Sequence, residues 1–320
     1  MINKCILPWT LIAAAVLFES HAHAAEPVTS AIPGVTAGGV KIELIKDGFN
    51  GTEGPIGLPD GSLIFTETQA ERITRIFPDN TVVSFLEHSN GANGLAFDAD
   101  GALYAVQVLK PKVGIIYPVG KEKTLAEDFE GTPFQRPNDL VLDHHGGVYF
   151  TDSGTRATPE NPNPPKSNPG VFYISPEGKL TRLASDIDRP NGIQLSKDEK
   201  TLYVANTLGE HVLAYDITRP GEIGNKRHFA KLAGWQETET GWSSGADGLA
   251  IDDKDRLYVT SNAGIEVFDQ DGKPLGVIPI PKKPQNLAFA GKDKKTLYVV
   301  GRGAAYKIPV LTPGYLGRAK

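Results

Sequence analysis

Short apolar runs alternate with polar turns along the chain, and the alternation itself repeats. Leu140 to Leu142 is apolar, His144-His145-Gly146-Gly147 supplies a tight turn, and Val148 to Thr151 carries the β-branched and aromatic residues that suit a pleated surface. The same shape recurs around other residues. Glu53 precedes Gly54-Pro55-Ile56 and then Leu63-Ile64-Phe65-Thr66, and Asn93 precedes Gly94-Leu95-Ala96-Phe97 and then Leu103-Tyr104-Ala105-Val106. Asn138 opens the copy described first. Asn191, Asp247 and Asn286 each precede an apolar strand, with Leu202-Tyr203-Val204, Leu257-Tyr258-Val259 and Leu297-Tyr298-Val299 as the following strands. The anchors at 53, 93, 138, 191, 247 and 286 lie 40, 45, 53, 56 and 39 residues apart.

Six copies at this period, with several short strands in each, predict an all-β chain folded as a six-bladed β-propeller with four-stranded antiparallel blades. Each anchor stands just before strand A, the strand nearest the central channel. The anchors therefore ring one mouth of that channel, on the face that the B→C and D→A loops share. The sixth copy supplies strands near Leu287–Ala290, Leu297–Val300 and Ala305–Pro309 and then runs out. Val40–Ile45 has no partner nearby and is expected to close the last blade as its outer strand, which removes an open sheet edge.

The start of the chain does not share the pattern. Lys4, an apolar Leu11–Phe18 and a small-x-small Ala22-His23-Ala24 read as a signal peptide over residues 1–24, cut after Ala24. The apolar run is too short to span a bilayer. The expected location is the periplasm or the medium, with no membrane association after cleavage. Residues 25–39, rich in Pro, Ala, Thr and Gly, are expected to be a flexible leader, and residues 40–320 the propeller. The only cysteine, Cys5, leaves with the signal, so core packing and strand pairing hold the mature chain without disulfides.

A net charge of −5 with no basic stripe argues against a nucleic-acid partner. Whether the protein is a monomer or a dimer is left open. His144 and His145 fall in an A→B turn on the face away from the anchors, which argues against a His-based hydrolase or a zinc site. No nucleophile elbow, phosphate loop or dinucleotide fingerprint is present. Two loops belong to the anchors' face. Gly154 to Pro169 holds five prolines and is either a stiff rim or lid or an inert surface loop; Gly234 to Ala246 carries Trp235 and Trp242, the latter either a pocket wall or packing against the next blade.

Any single anchor is accounted for by a turn, since Asn-Gly, Asp-Gly and Asn-Asp are turn dipeptides. Glu53 is a poor turn former in the same register, and a ring of six oxygen-bearing groups, two of them charged, is unfavourable without a partner. Carboxylate and amide oxygens are hard donors that suit Ca²⁺, Mg²⁺ or Mn²⁺, and the charges of Glu53 and Asp247 balance one divalent cation. An open coordination position then polarises a carbonyl, and a nearby carboxylate removes a proton from water. Arg136, and Arg189 in the matching place, either face an oxygen-rich ligand or form surface ion pairs.

Thr52-Glu53-Gly54-Pro55, Arg136-Pro137-Asn138-Asp139, Arg189-Pro190-Asn191-Gly192-Ile193 and Asp247-Gly248-Leu249-Ala250, in that order, resemble the motifs of the senescence marker protein/gluconolactonase family. Tyr149-Phe150-Thr151-Asp152 and Gln285-Asn286-Leu287-Ala288-Phe289 are most similar to its bacterial gluconolactonase branch. The resemblance spans essentially the whole mature chain. It implies one divalent cation in the channel, Ca²⁺ first, with Mg²⁺, Mn²⁺ or Zn²⁺ as the other candidates. It implies Glu53, Asn191 and Asp247 as metal ligands, Asn138 as a further ligand or a substrate contact, and Arg136 as a substrate contact. Asp247 is the implied general base, and Asn93 and Asn286 either support the ligands from behind or face the substrate. The implied activity is metal-dependent hydrolysis of a small-molecule sugar lactone. The alternatives are an organophosphate or other ester or lactone hydrolase on the same site, or a non-catalytic binding propeller with a structural metal.

Overall fold

The computed structural model describes residues 27–157 and 161–318. Residues 1–24, read as an export signal, lie outside them. The described chain forms six four-stranded antiparallel sheets arranged as a propeller, as the repeats predict. The innermost strands are Thr52–Gly57, Ala92–Phe97, Pro137–Leu142, Pro190–Leu195, Leu249–Ile251 and Asn286–Ala290. Every anchor lies within two residues of the start of its strand.

The last blade is closed from the other end of the chain. Glu43–Lys46 pairs antiparallel with Ala304–Pro309, at the outer edge of the sheet built on Asn286–Ala290. The observed closing strand begins three residues later than the expected Val40, and Lys41 instead bridges to Val28. The leader assignment is corrected for residues 27–39. Ile32 and Val35 are buried in the core between the last two blades, against residues such as Tyr258 and Leu297. The Pro and Gly in this stretch shape a turn closed by the Ile32–Thr36 bridge, and two apolar side chains three residues apart hold it down.

The strands are buried on both faces because each sheet packs against a blade on either side. Ile56, Ile64 and Ile73 of the first blade meet Leu95, Leu103 and Ala105 of the second. Burial of each such aliphatic side chain contributes about 2 kcal/mol. This double burial explains why the strands read as nearly continuous apolar runs.

At the channel the blades come closer than side chains permit. A Cβ on Gly54, whose φ is +47°, would lie 1.9 Å from the Asn93 carbonyl oxygen, and one on Gly192 would lie 2.1 Å from that of Asp247. The glycine after an anchor therefore lets the neighbouring anchor's backbone pack beside it. In the first four blades the strand A ladder also slips by one residue beside the anchor, between Glu53 and Ile56, Ala92 and Leu95, Pro137 and Leu140, and Pro190 and Ile193. Such bulges end regular pairing and re-aim side chains. Asn286 pairs regularly with Val300, without a slip.

Candidate active site

The four slipped ladders turn Glu53, Asn93, Asn138 and Asn191 toward one cavity of about 760 Å³ at the channel mouth, and Asp247 reaches it from just before its strand. Glu53, Asn93, Asn138, Asn191 and Asp247 line it, together with Arg136 and Arg189. B→C and D→A loops supply the rest of the wall, as the topology requires. Thr155, Arg156, Asn161 and Pro164 of the proline-rich loop are part of it, which makes that loop a rim of the mouth. Its stem is tied by the Thr155 hydroxyl to the Pro165 carbonyl at 2.7 Å and by the Thr155 N–H to Ser167 Oγ at 3.0 Å. Trp242 does not line the cavity. It lies half exposed on the hairpin Gln236–Thr238/Gly241–Ser243, its ring 5.5 Å from that of Trp235. His144 pairs with Glu199 at 2.6 Å, away from the cavity.

The loops that carry the anchors are pinned by buried side chains at the ends of the B strands. Asp152 Oδ1 accepts the N–H groups of Arg136 at 2.8 Å and Gly154 at 2.9 Å, and its Oδ2 accepts that of Gln135 at 3.1 Å. Asn206 Oδ1 accepts the Arg189 N–H at 3.2 Å, and Glu67 Oε2 accepts the Asn50 N–H at 2.9 Å. Threonines stitch neighbouring blades together. The Thr66 hydroxyl donates to the Asn93 carbonyl at 3.0 Å and that of Thr151 to the Asn191 carbonyl at 2.6 Å. Thr66-Glu67 and Thr151-Asp152 end the B strands of two repeats, and their role depends on contacts between blades that the sequence does not show.

The ring members are not equivalent. Asn286, expected either to face substrate or to support the ligands from behind, does not line the cavity. Its Nδ2 donates to Glu53 Oε2 at 3.0 Å and its Oδ1 accepts the Leu287 N–H at 2.9 Å, so both ends of the amide are used in holding Glu53. Asn93 reaches the cavity with its amide similarly engaged. Its Nδ2 donates to the Asn138 carbonyl at 2.9 Å and its Oδ1 accepts the Thr68 hydroxyl at 3.4 Å. Asn191 and Asp247 differ. Asn191 Nδ2 donates to Thr207 Oγ1 at 3.0 Å, while Asn191 Oδ1 and Asp247 Oδ1 are buried with no hydrogen-bond partner among the described residues.

The electrostatics follow from burial. Desolvation pushes the Glu53 carboxyl up to about 7, with the Asn286 amide opposing and the Asp139 charge adding to the rise. Asp247 is pushed well above the usual carboxylate range, first by desolvation, then by the charges of Glu53 and Asp139, with Arg136 and Lys283 opposing.

Asp139 was missed as a member of this site. It is buried, its Oδ1 accepts the Leu140 N–H at 2.9 Å, and its Oδ2 accepts the Ile193 N–H of the next blade at 3.2 Å. The signal was there. Glycine follows the anchor in four repeats, at Gly54, Gly94, Gly192 and Gly248, and a carboxylate breaks the series only at 139.

The raised carboxyls of Glu53 and Asp247, with Asp139 beside them and two unpartnered buried oxygens, fit a divalent cation. The donors are hard oxygens from both carboxylate and amide groups. Among the described residues no three His, Cys, Asp or Glu side chains form a metal-ligand cluster by themselves, so the amide oxygen of Asn191 is an essential part of this set.

Known proteins share this chain's sequence pattern and fold. The SMP-30/Gluconolactonase/LRE-like region matches residues 51–302. A gluconolactonase of Zymomonas mobilis is 29% identical over 281 residues, covering 81% of this chain and 78% of the relative. The lactonase drp35 of Staphylococcus saprophyticus is 28% identical over 253 residues, covering 76% and 74%. Among solved structures, a gluconolactonase from Xanthomonas campestris superposes with a TM-score of 0.76 at 26% identity, covering 89% of this chain and 95% of its own. Regucalcin of Agrobacterium tumefaciens, a calcium-binding protein, superposes with a TM-score of 0.70 at 18% identity, covering 86% and 96%, a likeness of fold.

Proposed function

The chain belongs to the SMP-30/gluconolactonase/LRE-like family, and from that premise we propose that it is a divalent-metal-dependent lactonase that opens sugar lactones to the corresponding acids. The observation that carries the reading is the pair of buried, unpartnered oxygens, Asn191 Oδ1 and Asp247 Oδ1, on a cavity where Glu53 and Asn93 are hydrogen-bonded. Glu53, Asn191 and Asp247 hold the cation, with Asn138 as a fourth donor, and Ca²⁺ suits their charge and hardness. When bound, the cation supplies Lewis acidity to the lactone carbonyl.

The chain's own residues do the remaining work. Arg136, on a loop pinned by Asp152, faces the lactone and orients its hydroxyls and ring. Asp247 is the general base. Water adds to the carbonyl carbon, its proton passes to Asp247, the ring C–O bond breaks, and the departing ring oxygen takes the proton. The aldonic acid formed then ionises and releases a proton to solvent. A full ligand of a cation is a poor base, because the cation lowers its pKa. A base role for Asp247 therefore requires weak or changing coordination to the cation. Asn286 and Asn93 act indirectly, the first holding Glu53 and the second holding the backbone of Asn138.

Purified protein is assayed on glucono-1,5-lactone by proton release, after chelation and after restoring Ca²⁺, Mg²⁺, Mn²⁺ or Zn²⁺ singly. Cation-dependent turnover above the spontaneous rate is expected. A folded protein that binds a cation and opens no lactone would overturn the reading in favour of a binding propeller or another ester substrate. We also read residues 1–24 as an export signal. The test is the N-terminus of the protein from a cell-envelope fraction, with Ala25 expected first.

A further inference from the structure

Above the acidic ring, the wall of the cavity is cationic. Arg136, Arg156, Arg189, Lys283 and Arg302 all line it, in a chain whose net charge is −5. They come from D→A and B→C loops of three different blades. The ion pairs of the described residues lie elsewhere, and none includes one of these five. Arg189 is half-buried among them. The three ring carboxylates do not account for the cluster. A divalent cation neutralises two of the three negative charges, which leaves the mouth of the cavity strongly positive.

Like charges gathered on one wall without direct ion pairs raise the free energy of the site that holds them. A neutral lactone gives nothing in return, since its hydroxyls are satisfied by any donor. A carboxylate or phosphate relieves the repulsion and takes paired guanidinium hydrogen bonds. We propose that the substrate is an anionic sugar lactone, carrying a carboxylate or phosphate at the end of the carbon chain away from the ring ester, and that Arg156, Arg189, Lys283 and Arg302 bind that group. The proposal rests on the lactonase reading above and adds the substrate class. The ester lies on the acidic floor with Arg136, and the anion lies against the rim. The anion also draws substrate toward the mouth, an effect that salt screens.

The experiment compares three probes on the full-length protein with Ca²⁺ present. They are neutral glucono-1,5-lactone, the carboxylate-bearing glucaro-1,4-lactone and the phosphate-bearing 6-phosphoglucono-1,5-lactone. kcat/KM is measured for each at about 20 and about 300 mM salt, a range across which the screening length falls several-fold. The ring-opened products glucarate and 6-phosphogluconate are titrated calorimetrically in parallel. At least one anionic lactone is expected to exceed the neutral one by about 10-fold or more at low salt, in the range of electrostatic steering. Whichever anionic probe gains identifies carboxylate or phosphate as the group recognised. That advantage should shrink at high salt and in the double variant Arg156→Gln/Arg302→Gln, and return in part in Arg156→Lys/Arg302→Lys. The charge-keeping pair separates a lost charge from a disturbed loop. Anionic and neutral lactones opened equally well at both salt concentrations would overturn this inference and leave the lactonase reading standing. If no lactone is opened, the lactonase reading fails and calorimetry decides. Product anions that bind the wild type and bind the Gln variant several-fold more weakly uphold the anion site, whereas no binding removes it.

Discussion

Asp247 and Asp252 stand at the two ends of one inner strand, Leu249–Ile251, and they have opposite fates. Asp252, on the far face, is fully buried and fully used. Its Oδ1 accepts the N–H groups of Lys254 at 2.8 Å and Arg256 at 3.1 Å, and its Oδ2 accepts Arg256 Nε at 2.7 Å and the Tyr258 hydroxyl at 2.9 Å. Arg256 in turn donates to the Gly34 carbonyl at 2.8 Å and so ties down the N-terminal segment. Asp247, at the channel mouth, buries an oxygen with no partner and sits among other acids. A buried carboxylate is stable only with partners. The far-face acid finds its partners within its own turn, and the mouth acid is left dependent on something that the chain does not contain. The comparison teaches that burial alone does not mark function; burial without satisfaction does.

Asp247→Asn breaks the comparison most directly. It removes the base while preserving the shape, so turnover should fall by about 10³-fold, in the range of a lost general base. The chelated variant should melt at a higher temperature than the chelated wild type, because an uncompensated buried acid has gone. A variant that keeps wild-type turnover would remove Asp247 from the chemistry, and one that melts lower would show that its carboxylate is satisfied after all.

Asp252→Asn is the reciprocal change. It weakens a buried ion pair and a four-bond network, and should cost about 3 kcal/mol in urea unfolding. Cation affinity, measured by titration calorimetry, should stay within about twofold, since the two ends of the strand share no partner. A large loss of cation affinity would mean that the far face controls the mouth.

These two acids also show how much the sequence made legible. The blades were readable because double burial gives long apolar strands, and the anchors because Glu53 keeps the register of five turn formers. What escaped depends on contacts between blades. Asp139 passes for the second half of an Asn-Asp turn until Ile193 of the next blade is seen on its carboxylate. Asn286 looks like any other anchor until its amide is found beneath Glu53. Arg156, Lys283 and Arg302 sit in loops with no periodicity, and only their shared face connects them. Ile32 and Val35 were hidden by the prolines and glycines around them, although their own apolar character was the better guide to burial.

The acid pair Glu53 and Asp247 gives the comparison a pH dependence. Folding raises the Glu53 carboxyl from 4.5 to about 7, so between those values the folded, cation-free protein holds more protons than the unfolded chain. Stability is therefore fully present below pH 4.5 and falls as pH rises toward 7, by about 3 kcal/mol for a shift of this size. Asp247, raised for the same reason, acts in the same direction. A bound cation reverses the trend, because it favours the ionised acids. Urea melts at successive pH values with chelator and with Ca²⁺ should diverge across this window, the chelated series falling and the loaded one holding. Parallel curves would mean that the ring carboxylates are not where the cation binds.

Asp152→Asn is the smallest of these changes and tests whether satisfaction at the mouth serves geometry alone. Asp152 gives one oxygen to the N–H groups of Arg136 and Gly154 and the other to that of Gln135. The amide keeps one acceptor and replaces the other with a donor, so one of these loop N–H groups loses its partner. The cost is about 1 kcal/mol of stability, that of one net hydrogen bond. The kinetic effect should be confined to the residue carried by the loop. The proposed role of Arg136, a contact to the lactone in both the bound and the reacting states, predicts that KM rises by about threefold to tenfold while kcat changes little. Equal losses in kcat and kcat/KM would instead place Arg136 on charge that develops only during reaction. In that case the loop pinned by Asp152 would belong with Asp247 in the chemistry, and no longer with Asp252 in the scaffold.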